Sequence, residues 1–306
     1  MSLEPTVGPP RRRPAAPGRL GRAVALTVLA AAAGCASATP YRELAAAGVA
    51  YAESARSLAD AAAALAIDAS SERLIQDDAL VNVDLETLRR VAAEDAQRLA
   101  VLARLASHAR LLRRYFALLG ELADGNAGRR TLAAVEAVAE ALGEAGNALR
   151  GTAAAGDAGP AVGAARVGAA FYGRDLARRE VAQRAPVLER ELATQGELLA
   201  SLAAAMRHDL EIVAEARAQR LVIDPLLAET PLADPERWLA ARRELLLGAP
   251  AQGELAAAER AAGDLRDAVA AIAGQRPALD LLAEVVADAE AIGAALAALG
   301  LTEAAP

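Results

Sequence analysis

Residues 85–122 read LETLRRVAAEDAQRLAVLARLASHARLLRRYFALLGEL, and this stretch decides the fold class. Leu85, Leu88, Ala92, Ala96, Leu99, Leu102, Ala106, Ala109, Leu112, Phe116 and Leu119 recur at intervals of three and four, with most of the charges between them. That period puts the apolar side chains on one stripe of an α-helix and the charges on the rest of its surface. At a rise of about 1.5 Å per residue the predicted helix is roughly 57 Å long.

A second seam of the same kind runs through Val181, Ala185, Leu188, Leu192, Gln195, Leu199, Leu202, Met206, Leu210 and Val213. It extends to about Val222, where Asp224-Pro225 is expected to end it, because a residue before proline is driven out of the helical region. Pro186 falls inside this seam and is expected to bend the helix or mark its effective start. Gln195 is the polar residue of the seam, read either as a register-fixing group or as a side chain rotated toward solvent. Two long amphipathic helices of similar reach predict an all-α fold, an extended antiparallel helical bundle.

Working outward, Thr39 and Pro40 suit a helix start, and the helix is expected over Tyr41 to Ile67, with Leu44, Ala47, Tyr51, Leu58 and Leu65 near one face. Asp68 then offers a cap for a short helix from Ser70 to Leu80, and Asp84 a cap for the next. Arg129 to Arg150 read as a helix stopping at Gly151. The segment GTAAAGDAGP, Gly151 to Pro160, is the strongest break in the chain, either a loop at the bundle tip or a boundary between halves. Ala161 to Tyr172 reads as a short apolar helix, too brief to span a bilayer. Asp234-Pro235-Glu236 is the strongest helix start: a capping Asp, proline in the first turn and an acid at the positive end of the helix dipole. That helix carries Trp238 and Leu245 and stops near Gly248; two more follow, about Gln252 to Ala273 and Pro277 to Leu299. Strand alternation is nearly absent, and no fixed-period repeat stands out.

Composition agrees with this reading. The chain is 55% apolar but only 2% aromatic, so its core must be built of Ala and Leu, the best helix formers. Such a core gains its stability from many small contacts. All basic residues are Arg; without Lys there is no Schiff-base nucleophile.

The address is written at Arg11 to Cys35. Arg11, Arg12, Arg13, Arg19 and Arg22 precede the uncharged run AVALTVLAAAA, Ala23 to Ala33, which has the length of a signal-peptide core and about half that of a spanning helix. The run ends in Ala32-Ala33-Gly34-Cys35, which resembles the lipobox of bacterial lipoproteins. Ala33 and Gly34 match the small residues of that pattern, while Ala32 stands where Leu is preferred. The resemblance covers the export signal alone. It implies cleavage after residue 34, acylation of Cys35, and a membrane contact through several acyl chains, which anchor far more firmly than one. Ala36 follows the cysteine where an Asp would favour inner-membrane retention, which points to the outer membrane, facing the periplasm. The expected organisation is residues 1–34 as signal peptide, 35–40 as lipidated cysteine and short tether, and 41–303 as helical bundle, with a candidate internal break at 151–160.

Residues 1–34 carry five arginines and one glutamate, so losing them takes the formal charge from −7 to −11. A body so negative is repelled by phosphate backbones, and nucleic acid is not an expected partner. Chemistry-bearing residues are sparse. Cys35 is the sole cysteine, and His108 and His208 are the two histidines, both beside core positions and read as partly exposed, solvated or hydrogen-bonded groups. A di-iron bundle would need Glu-x-x-His on two helices; Leu105 stands three before His108, and His208 with Glu211 gives the reverse spacing once. Asp68 and Asp77-Asp78 coincide with expected helix ends. Tyr115-Phe116, Phe171-Tyr172 and Trp238 are read as fillers of the widest core gaps. No catalytic residue, metal site or cofactor is expected. The leading expectation is a lipid-anchored cell-envelope protein whose non-catalytic bundle binds or scaffolds an envelope partner. Alternatives are a membrane-active or pore-forming protein using Ala161 to Tyr172, and a metal-binding or enzymatic bundle using His108 or His208.

Overall fold

The computed structural model describes residues 38–76, 85–125, 129–153, 173–228, 232, 234–248 and 255–301. Every regular element among them is helical: α1 (Thr39–Gln76), α2 (Leu85–Ala123), α3 (Arg129–Ala153), α4 (Gly173–Arg217), α5 (Pro235–Gly248), α6 (Ala257–Ala273) and α7 (Leu279–Ala298). From Pro40 onward the chain forms one compact unit.

The pairings Arg42 with Asp124, Gly48 with Phe116, Glu53 with Arg113 and Ser70 with Asp95 climb α1 as they descend α2, so these helices are antiparallel along almost their full length. Tyr115 with Glu180, His108 with Glu191 and Arg98 with Asp209 set α4 antiparallel to α2. Consequently α4 runs parallel to α1, as Tyr51 with Gln195 and Glu72 with Arg220 confirm. Helix α3 packs on α2 and α4, α6 packs on α4, and α7 covers α6. The antiparallel arrangement of the two long seams is the one expected from the sequence.

Buried Ala and Leu from α1, α2, α3, α4, α6 and α7 merge into one core. Small residues let the helices approach: a side-chain carbon at Gly48 would lie 2.3 Å from the Phe116 ring, so that ring occupies the space a larger residue on α1 would need. Tyr115 and Phe116 are both buried, their rings 5.6 Å apart and nearly perpendicular at 81°. Gly125, with φ +77°, closes the end of α2 in the left-handed conformation that glycine adopts without steric cost.

Several local expectations change. Helix α1 continues through Asp68 to Gln76 instead of restarting there. Ala69 is buried beyond Asp68, so packing carries the helix on, and Ser70 and Ser71 direct their hydroxyls back to the Ile67 carbonyl. The helix of Arg129 continues past Gly151 as far as Ala153, the last described residue of that stretch. Helix α4 is continuous through Pro186, which lies on its exposed face, so the proline does not mark its start. Past Arg217 the chain widens into a π-helix, Ala218–Ile223, and regains α geometry at Asp224–Leu227. The helical path therefore passes Pro225, which lacks an N–H, just after the α hydrogen-bond pattern has already changed step. Asp234 caps α5 as its sequence predicts, its Oδ1 accepting the Arg237 backbone N–H at 3.0 Å. The seam of α2 is buried from Leu102 onward, whereas Leu85, Leu88, Ala92 and Ala96 are exposed. Residues 77–84, most of 151–160, all of 161–172, and Gln252 lie outside the described residues.

Candidate functional site

The seam of α4 carries more than apolar side chains. Glu180, Arg184, Glu191, Gln195 and Asp209 are all buried; Glu180, Glu191, Gln195 and Asp209 each meet a polar group from another helix, and Arg184 stands beside Glu180 on α4 itself. They form successive polar layers down the bundle.

The central layer is built on Glu191, whose side chain is fully buried. Arg150 of α3 grips it with two bonds, Nη1 to Oε2 and Nη2 to Oε1, both 3.1 Å. Arg150 also donates to Asn147 Oδ1 at 2.6 Å and to Thr194 Oγ1 at 3.2 Å. From α2, His108 places Nε2 3.3 Å from Glu191 Oε2, close enough for an ion pair but off the line of a hydrogen bond. Burial alone would raise the Glu191 carboxyl; the His108 and Arg150 contacts outweigh it and hold the group below its ordinary value. Gly146 makes room for this carboxylate, since a side-chain carbon there would fall 1.6 Å from Oε2.

One turn along, Tyr51 donates its hydroxyl to Gln195 Oε1 at 2.7 Å. Toward the start of α4, Tyr115 donates to Glu180 Oε1 at 3.4 Å, and Arg184 Nε stands 3.4 Å from the same oxygen. Here burial prevails and pushes the Glu180 carboxyl up. Toward its end, Arg98 binds both oxygens of Asp209. Glu72, at the close of α1, receives Arg220 at 2.7 and 2.8 Å.

His108 is fully buried, not partly exposed as its sequence position implied, whereas His208 lies in solvent beside Arg73 and Glu211. The structure does not bring the two together: His108 faces Glu191, and His208 stands 17 residues farther along α4, about 26 Å away at 1.5 Å per residue. Among the described residues, no group of three His, Cys, Asp or Glu side chains is placed to hold a metal ion. Neither nitrogen of His108 has an aligned partner there, so no hydroxyl stands ready for activation by it. What the central layer does chemically is favour the charged form of a buried carboxylate and fix three helices around it. Gln195 was legible as a seam residue. Glu191 and Asp209 were not singled out, although the three-and-four spacing through Leu188, Glu191 and Gln195, and through Met206, Asp209 and Val213, places them inward. Asp209, not its neighbour Leu210, fills that buried position.

On the surface, α1 and α2 leave an apolar groove of about 500 Å³ over Ala45, Val49, Phe116 and Gly120. It is bracketed by the exposed pairs Arg42–Asp124 and Glu53–Arg113. Cys35, Asp77-Asp78 and Phe171-Tyr172 lie outside the described residues. Among those described, no helix is long and apolar enough to cross a membrane.

Fold and layers together define a helical bundle with a polar-pinned core. The chain matches no family model, no curated protein and no solved structure.

Proposed function

We propose that this protein is a lipid-anchored component of the cell envelope, in which acylated Cys35 holds a non-catalytic helical bundle at a membrane to bind or scaffold an envelope partner. One observation carries the reading: the arginine-rich start, the apolar run and Ala33-Gly34-Cys35 follow one another in the order of a lipoprotein export signal. Helix α1 begins at Thr39, four residues past that cysteine, which leaves little slack between an anchor and the bundle. Ala36 favours the outer membrane as the site, with the bundle in the periplasm. The buried ion pairs support a rigid body suited to presenting a surface, since their partners come from four different helices.

The test is fractionation of cells expressing the native chain and Cys35→Ser. The reading expects the native protein in the membrane fraction, extractable by detergent, and the variant in the soluble fraction. An unchanged distribution would overturn the acylation reading.

A further inference from the structure

One side of the α1–α2 pair forms a continuous surface along the length of both helices. The two run side by side, tied at Arg42–Asp124, Glu53–Arg113 and Ser70–Asp95. At about 100° per residue, Arg42, Glu53, Ala64, Ile67 and Ile75 fall within about 80° of one another around α1, and Leu88, Leu99, Arg113, Ala117 and Asp124 within about 40° around α2. Both stripes border the bonds that join the helices, so they are two halves of one face. The groove over Val49 and Phe116 is its near end. Toward its far end Ile67 and Ile75 are 47% and 41% exposed, and Leu88 is 38% exposed. Continuing the register of the three bonds, Ile67 is level with Leu99 and Ile75 lies within a turn of Leu88.

The charges of this face are arranged to meet themselves. At the near end α1 carries Arg42, and α2 carries Asp124 with Glu121 beside it; farther along, α1 carries Glu53, and α2 carries Arg113 with Arg114 beside it. Glu121 and Arg114 have no ion pair among the described residues, and Glu43 lies about 100° round α1 from Arg42, off the face. The sign therefore reverses both across the face and along it. A twofold axis parallel to the helices lays α1 of one copy over α2 of the other. Arg42 then meets the partner's Asp124 and the partner's Glu121, and Glu53 meets the partner's Arg113 and the partner's Arg114. Arg56 and Asp60, already paired with each other, lie nearest the partner's Arg110. Ile67 and Ile75 lie over the partner's Leu99 and the partner's Leu88. A twofold axis across the helices would instead lay the charged end of one copy over the apolar end of the other. An anionic bilayer fits no better, because acids and arginines share the face.

We infer that this face is the interface of a parallel homodimer, with α1 and α2 of one copy packed on α2 and α1 of the other. From Arg42 to Ile75 it is about 50 Å long, and two adjacent helices make it about 15 Å wide, so each copy offers about 750 Å², the area of a standard stable interface. Both copies start α1 at the same end, so two anchors of the kind proposed above would enter one membrane. The interface does not rest on that reading.

The test uses the full chain with Cys35→Ser, so that acylation contributes nothing. Sedimentation equilibrium is expected to give a dimer, twice the 31.2 kDa of the chain. Ile67→Glu/Leu88→Glu, at two exposed positions, and Arg42→Glu, which sets like charges against each other across the axis, are each expected to raise the dissociation constant of the dimer about tenfold or more. Adding Asp124→Arg to Arg42→Glu restores opposite signs and should recover association. All variants keep residues 1–34, so association through that segment would survive the substitutions and count against the face. Far-ultraviolet circular dichroism checks that the helices are retained. The direction is read by mixing Ala64→Cys and Ala103→Cys chains with a short bismaleimide, which should join the two kinds of chain in preference to either kind with itself. A monomer at every concentration, a dimer indifferent to the face substitutions, or cross-linking of Ala64→Cys chiefly with itself overturns the proposal.

Discussion

Tyr51 on α1 donates its hydroxyl to Gln195 Oε1 on α4 at 2.7 Å, a bond between two fully buried side chains 144 residues apart. It fixes the axial register of the parallel pair, because sliding either helix by one turn would part the hydroxyl from the Gln195 amide. The Gln195 amide Nε2 has no partner among the described residues, so the layer already carries one unsatisfied donor.

Removing the Tyr51 hydroxyl should therefore cost more than the bond itself is worth. Tyr51→Phe is expected to lower stability by about 1–3 kcal/mol, because it strands a buried acceptor beside the stranded donor. Combining it with Gln195→Leu should recover part of that loss. Urea unfolding of the four proteins in a double-mutant cycle reads the coupling directly; additive effects would show that the two groups do not act together.

Two glycines on α3, three residues apart, should respond to alanine in opposite ways. At Gly143 a side-chain carbon meets nothing within 4 Å, so Gly143→Ala should stabilise by about 0.5–1 kcal/mol through helix propensity. At Gly146 the same carbon would fall on the Glu191 carboxylate. Gly146→Ala must displace a buried charge from Arg150 and His108, and a loss of about 3–5 kcal/mol is expected. Thermal unfolding of both variants tests the contrast.

The phenyl ring of Phe116 makes a similar demand on α1. Gly48→Ala is expected to destabilise by about 1–3 kcal/mol through overpacking. Adding Phe116→Leu, which withdraws the ring, should make the alanine less costly than it is in the native background, as denaturation midpoints would reveal.

Glu191 and Glu180 should give opposite pH signatures. Glu191 is held below its ordinary value of 4.5, so its contribution is complete above that pH and is lost as pH falls through the depressed folded value. Glu180 is raised above 4.5, so its contribution is present below that pH and is lost as pH rises through the folded value. The stability deficit of Glu191→Gln should therefore shrink as pH falls from about 5 to about 3, while Glu180→Gln should gain on the native protein as pH rises from about 4 to about 7. Urea midpoints across that range measure both, and parallel curves for native and variant proteins would contradict the assignments.

Local periodicity and caps were readable from sequence alone because they depend on residues a few positions apart. The three-and-four spacing of Leu102 to Leu119 gave a buried helix face, and Asp234-Pro235 gave a capped start. The same spacing could not tell that Leu85 and Leu88 are exposed, since exposure depends on which neighbours pack against them. Nor did Asp68 stop α1, because packing at Ala69 outweighs the preference of an Asp for a helix end.

The sequence by itself determined an all-helical chain with an Ala- and Leu-rich core, through propensity and pattern, and it carries the lipobox-like stretch on which the proposed address rests. Only the tertiary structure decided which charges are buried. Glu191 is 41 residues from Arg150 and 83 from His108, and Asp209 is 111 from Arg98. A carboxylate on an amphipathic helix reads as solvated until the chain folds and brings a guanidinium to it, because a buried charge is tolerable only with its partner already in place.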